Sequence, residues 1–167
     1  MASLTYFPIA TQTTTSTVSS VTFSSISQAY TDLIIVVNNG STVSAQGLFM
    51  QINGDTGSNY SLTTTWLNGN TSAQGNFQPT STTGISQFSG LAQNATTIIE
   101  AMVINLMNYS NTTNYKTLIQ RSVCDATLQY LVGNWHNNNA ITSLTFSIGS
   151  GNIQTGSSFT IYGIKAA

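Results

Sequence analysis

Few side chains in this sequence could do acid–base or metal chemistry: Asp32, Asp55, Glu100, Asp125, His136 and the single Cys124. The most suggestive spacing is Asp55-Thr56-Gly57-Ser58-Asn59, which sets oxygen-bearing side chains at alternate positions, as a calcium loop does. A hard cation takes about six to eight oxygens, usually several of them carboxylates, and this loop supplies one carboxylate. The run reads instead as a hairpin turn that uses Asp, Gly and Asn for backbone geometry. Glycoside hydrolysis needs two carboxyl groups flanking the bond, and the four acids stand far apart along the chain. His136 has neither a second metal ligand nor a paired acid near it in sequence. Nucleophile-elbow, phosphate-loop and zinc patterns do not occur, and one cysteine rules out an internal disulfide. The expectation is no catalysis, no metal and no cofactor. Glu100 and Arg121, on neighbouring expected strands, are expected to form a structural ion pair, since a buried carboxylate left alone is costly.

A different chemistry is suggested by two aromatic and amide clusters. Trp135-His136-Asn137 sits among asparagines, and Trp66 stands close to Asn68 and Asn70. A flat ring can stack on a sugar while amides bond its hydroxyls. Trp66, Asn68, Trp135, His136 and Asn137 are therefore the candidate glycan contacts. Six Asn-x-Ser/Thr triplets also occur, but a chain this rich in Asn, Ser and Thr produces them from composition.

These residues must be positioned by a chain that is 40% hydrophobic and only 4% charged, with Ser, Thr, Asn and Gln filling the gap. Ample Ile, Val, Phe and Tyr set it apart from disordered sequences. Three Lys/Arg and a net charge of −1 argue against binding nucleic acid, which needs several clustered cations. The same shortage argues against an anionic membrane surface. The first residues lack a basic segment followed by a long apolar one, so no secretory leader is expected.

The run 97–107, Thr-Ile-Ile-Glu-Ala-Met-Val-Ile-Asn-Leu-Met, organises the rest. Its odd and even positions are both mostly apolar, which in a strand means burial on two faces, or core on one face and a partner subunit on the other. Residues 32–37 form a second buried strand, closed by a turn at Asn38-Asn39-Gly40-Ser41. Alternating faces follow at 46–52 and at Tyr60, Leu62, Thr64 and Trp66, and then residues 71–95 read as one long loop. Strands at 115–123, 127–132, 144–148 and 158–165 complete the chain, with Asn134 to Asn139 as a polar turn. The last strand is expected to be interior, with Gly163 admitting a close neighbour. The fold class is all-β, a sandwich of about eight to ten strands, with residues 1–20 as an N-terminal arm and 21–167 as a single domain. Within the arm, residues 3–10 read alternatively as an edge strand, because Pro8 cannot sit in a central ladder.

Two blocks carry a resemblance: 53–60 (Asn-Gly-Asp-Thr-Gly-Ser-Asn-Tyr) and the ending 156–166, with Asn108-Tyr109-Ser110-Asn111-Thr112 and Tyr115-Lys116-Thr117 between them. Together they resemble small β-rich virion proteins of tailed bacteriophages, over roughly residue 20 to the end. The resemblance implies a jelly-roll-like sandwich, commonly a homotrimer, made in the host cytoplasm and assembled onto the particle. It implies a capsid decoration (cement) protein docked on the major capsid protein or other virion proteins, or else a fibre or receptor-binding tip that recognises a host glycan.

Overall fold

The computed structural model describes residues 5–41, 47–86, 98–124, 126–149 and 151–165, with the backbone alone at 39–41, 98–100 and 124. These residues form thirteen strands, with no helix among them. In chain order they are β1 (Tyr6–Thr13), β2 (Ser20–Phe23), β3 (Asp32–Ser41), β4 (Leu48–Ile52), β5 (Tyr60–Asn68), β6 (Gln74–Phe77) and β7 (Thr80–Thr82). Then come β8 (Ile85–Ser86), β9 (Ile98–Leu106), β10 (Lys116–Cys124), β11 (Thr127–Trp135), β12 (Leu144–Ile148) and β13 (Ser158–Ile164).

Nine strands make one antiparallel sheet in the order β1-β13-β3-β9-β10-β11-β5-β6, with β7 also paired to β5. Four make a second, β2-β12-β4-β8. The fold is a β-sandwich of unequal sheets, and nine strands against four do not by themselves make the eight-stranded double Greek key of a jelly roll. The surplus over the expected strand count comes largely from β6, β7 and β8, short pieces in the stretch expected to be loop.

The apolar alternation of each strand explains which face it buries. Leu33, Ile35 and Val37 of β3, Met102, Ile104 and Leu106 of β9, and Phe159 and Ile161 of β13 face inward. They meet Val21 and Phe23 of β2, Leu48, Met50 and Ile52 of β4, and Leu144 and Phe146 of β12 in one continuous core. Across the two layers the rings of Phe146 and Phe159 lie 5.3 Å apart.

β9 is interior, between β3 and β10, as its two-faced apolar pattern requires. β13 is interior as well, between β1 and β3. The expected turn at 38–41 is instead the end of β3, where Asn38 to Ser41 pair with Ala101 back to Ile98. A long ladder to a strongly β-forming partner outweighs the turn preference of Asn-Gly. Within the expected arm the edge-strand alternative is what forms: Tyr6 to Thr13 run along β13, from Ile164 back to Ser158. Pro8 sits in this edge strand beside a register shift, where its missing N–H does no harm. Residues 87–95, the rest of the expected loop, lie outside the described residues, as do 96 and 97.

Gly163 supplies a test of packing. A Cβ there would fall 2.3 Å from Cγ of Tyr30, an atom at the root of its ring that cannot swing aside. Gly163→Ala is expected to lower stability by about 1–3 kcal/mol, the usual cost of overpacking, measured as a fall in the urea midpoint with unchanged m-value.

Candidate functional site

The five candidate glycan residues do not converge. Trp135 closes β11 opposite Tyr60 and Trp66 lies in β5 opposite Gln129, about six residues or ~20 Å along the same pair of strands. Trp135 is only 1% exposed, so neither of its ring faces can receive a sugar. Its ring stacks on Tyr60, with centroids 6.4 Å apart. The run Asn134 to Asn139 resembles a turn in composition, but the inward alternation Thr127, Gln129, Leu131, Gly133 continues through Trp135 and places the indole in the core.

Asp55 explains how that indole is satisfied. The Trp135 Nε1–H donates to the Asp55 carboxylate at 2.7 Å. The same carboxylate accepts from the Gly57 N–H at 2.8 Å and from the Asn59 amide at 2.9 Å. These bonds, the indole first, hold the Asp55 carboxyl below its ordinary value of 3.8 against the opposing effect of burial. The Tyr60 hydroxyl accepts from the Ile52 N–H and donates to the Asp55 carbonyl, both at 3.0 Å, and burial pushes this phenol up to about 12. The calcium-like loop is thus a structural clasp that ties the β4–β5 turn to the end of β11. Among the described residues no three His, Cys, Asp or Glu side chains gather as metal ligands.

The other candidates are engaged in the same local way. Trp66 is half-buried, with its ring laid over Gly75 of β6, where a Cβ would come within 2.7 Å of it. The Asn68 side chain accepts from the N–H groups of Asn70 and Thr71 and donates to Thr127. The Asn137 side chain accepts from the Asn139 N–H. His136 is exposed, its Nε2 3.0 Å from the Ser61 hydroxyl. For the expected ion pair, Arg121 is exposed and stands opposite Val103 on β9, while Glu100 stands opposite Cys124. The Glu100 side chain lies outside the described residues.

Lys116 is a feature the sequence did not announce. It is fully buried at the start of β10, and its ammonium donates to the carbonyls of Asn114 and Asn138 at 2.7 and 3.1 Å. Burial pushes this amine below its ordinary value. Its role is to join two loops at one end of the sandwich.

The two outer faces of the sandwich differ sharply. On the small sheet the outward positions are Ser20 and Thr22 of β2, Phe49 and Gln51 of β4, and Thr145 and Ser147 of β12, with Thr22 and Thr145 hydrogen-bonded to each other. On the large sheet adjacent strands line up Ile119 and Val123 of β10 with Leu128, Tyr130 and Val132 of β11 and Leu67 of β5, all exposed. Tyr130 is 65%, Val132 52% and Leu128 51% accessible. Val36 of β3 and Ala101 and Val103 of β9 extend the apolar band, and a shallow groove of about 300 Å³ runs among these side chains beside Arg121.

At the other end the same face becomes polar. Thr117, Asn134 and Ser61 stand side by side on β10, β11 and β5. With Thr63, Gln78 and Thr80 they line a second groove of about 310 Å³. The Asn134 amide oxygen is buried without a hydrogen-bond partner. Register, not sequence proximity, assembles both surfaces. Comparison with protein-family models finds no match to this sequence, and comparison with curated proteins finds none.

Proposed function

We propose that the chain is a structural subunit of a phage particle, a capsid decoration protein that assembles as a homotrimer through the outer face of its nine-stranded sheet. The observation that carries this reading is the contrast between that apolar face and the hydroxyl-rich face of the four-stranded sheet. An antiparallel sheet normally turns one face to the core and a polar one to water. Here the large sheet has apolar residues on both. Contiguous exposed apolar patches of this kind mark association sites.

Further copies of the same chain are the occupants that fit best. The formal charges on this face among the described residues are Asp32 and Arg121, one of each sign, so the face carries no net charge that would repel further copies. Six strands, β13 to β5, spaced about 4.8 Å apart over about seven residues, span on the order of 650 Å², which a protomer of a trimer divides between two neighbours, against roughly 800 Å² per partner in a standard two-body interface. A chain with 4% charged residues also has little charge repulsion to keep it dispersed. The phage resemblance of its turns and closing strand supplies the particle, and the trimer commonly found in that group.

Light scattering of the purified chain at micromolar concentration is expected to give three times the mass of one chain. Tyr130→Glu is expected to weaken assembly on the order of a hundredfold, because it removes a large exposed ring from the face and puts in its place a carboxylate, opposite Arg121, that must be desolvated on assembly. Its melting temperature, measured below the dissociation concentration, should match that of the parent monomer. A parent protein that stays monomeric, or trimers indifferent to Tyr130→Glu, would overturn the interface. A single copy at the tail tip, instead of many over the head, would overturn the decoration role.

A further inference from the structure

We infer that the polar groove at the end of the large sheet, lined by Ser61, Thr63, Gln78, Thr80, Thr117 and Asn134, binds a neutral carbohydrate. The groove is built within one chain, at the polar end of the sheet face that the assembly reading uses, and Val132 belongs to both. Every polar group in that lining is a hydroxyl or an amide, each able to act as both donor and acceptor. Among the described residues no ionised side chain lines it, so phosphate, sulfate and carboxylate ligands find no counter-charge there. A sugar ring presents hydroxyls around its edge and C–H groups on its faces, which matches such a surface.

Two further observations point the same way. Asn134 is half-buried in the lining and its amide oxygen has no hydrogen-bond partner, so turning this amide toward a ligand breaks no bond at that oxygen. Beyond the lining an exposed aromatic ring is linked to it through His136. Tyr115 is 60% exposed and its ring lies 5.7 Å from that of His136, which in turn meets Ser61 in the groove lining. A ring that exposed, next to a hydroxyl-lined groove, offers a platform for the C–H face of a pyranose. At about 310 Å³ the groove is at the lower end of ligand-site volumes, the size for one or two sugar units and not an extended chain. Of the residues singled out from the sequence for glycan contact, only His136 belongs here.

The test is an array of neutral oligosaccharides with terminal glucose, galactose or mannose, printed beside sialylated and sulfated glycans at equal density and probed with the full chain. Retention on at least one neutral class is expected, with weaker retention of its acidic counterparts. Tyr115→Ala removes the platform and Thr63→Arg fills the groove. Both positions are exposed, and each variant should lose about tenfold or more in affinity while melting like the parent. The proposal is overturned if no neutral glycan is retained, if acidic glycans bind as well or better, or if both folded variants bind like the parent.

Discussion

A chain lacking residues 159–167 will show no cooperative melting transition. The deletion removes Phe159 and Ile161, both fully buried, at roughly 1.5–3 kcal/mol each for the burial alone. It also removes Tyr162 and Ile164 and, more damagingly, empties an interior position of the large sheet. β13 pairs with β3 on one side, Ser158 to Ile164 against Asn38 back to Asp32, and with β1 on the other. Without it β1 has no neighbour, and the β3 backbone loses one whole row of partners. The ladder bonds, at about 0.5–1.5 kcal/mol net each, together with the lost burial exceed a typical domain stability of about 5–15 kcal/mol. Circular dichroism on heating is the measurement. A sigmoidal transition near the parent midpoint would mean that β13 is dispensable and that the sheet order is wrong.

The Asp55–Trp135 clasp should produce the next largest effect. Trp135→Ala is expected to cost about 3–5 kcal/mol, since a buried indole leaves a cavity on removal. Asp55→Ala keeps the indole but strands its N–H, at about 1–3 kcal/mol. Because the two groups share one bond, the double variant should be more stable than the sum of the single losses predicts. The pH dependence has a fixed sign. The folded carboxyl binds its proton less readily than the unfolded chain does, so its contribution to stability is complete above its ordinary value of 3.8. That contribution declines as pH falls through the lower folded value. Urea midpoints between pH 6 and pH 2 should therefore fall less steeply in Asp55→Ala than in the parent. Parallel curves would remove the clasp from any role in acid stability.

What could be read from the sequence followed the alternation of apolar residues. The interior places of β9 and β13 and the close neighbour of Gly163 were all legible, because period two and a missing side chain are local signals. Trp135 was misread because Asn-Trp-His-Asn-Asn-Asn has turn composition. The parity running from Thr127 through Leu131 to Trp135 held the correct reading. Lys116 broke the alternation it belonged to, a charged residue in an inward position ahead of Leu118 and Gln120. The partnership of Asp55 with Trp135 spans eighty residues and has no local trace. Neither does the polar groove, whose walls come from four separate strands and the turn before β7. Its members are ordinary outward hydroxyls and amides until pairing sets Ser61 beside Asn134 and Asn134 beside Thr117.

The adjacency of β1 and β13 carries a consequence for how the protein is made. Tyr6 pairs with Ile164, so among the described strands β1 is made before all the others and has its one neighbour in the strand made after them. Until β13 emerges β1 is an unpaired edge, and β3 exposes on one side a row of backbone groups that β13 fills. Closing so large a loop is slow, which places the protein among β-rich chains that fold over milliseconds to seconds. During that interval the nascent chain presents both an open edge and an apolar face, the combination most prone to join the wrong partner. Crowded synthesis of many copies should therefore favour inclusion bodies at high temperature. Slow expression in the cold should favour soluble protein.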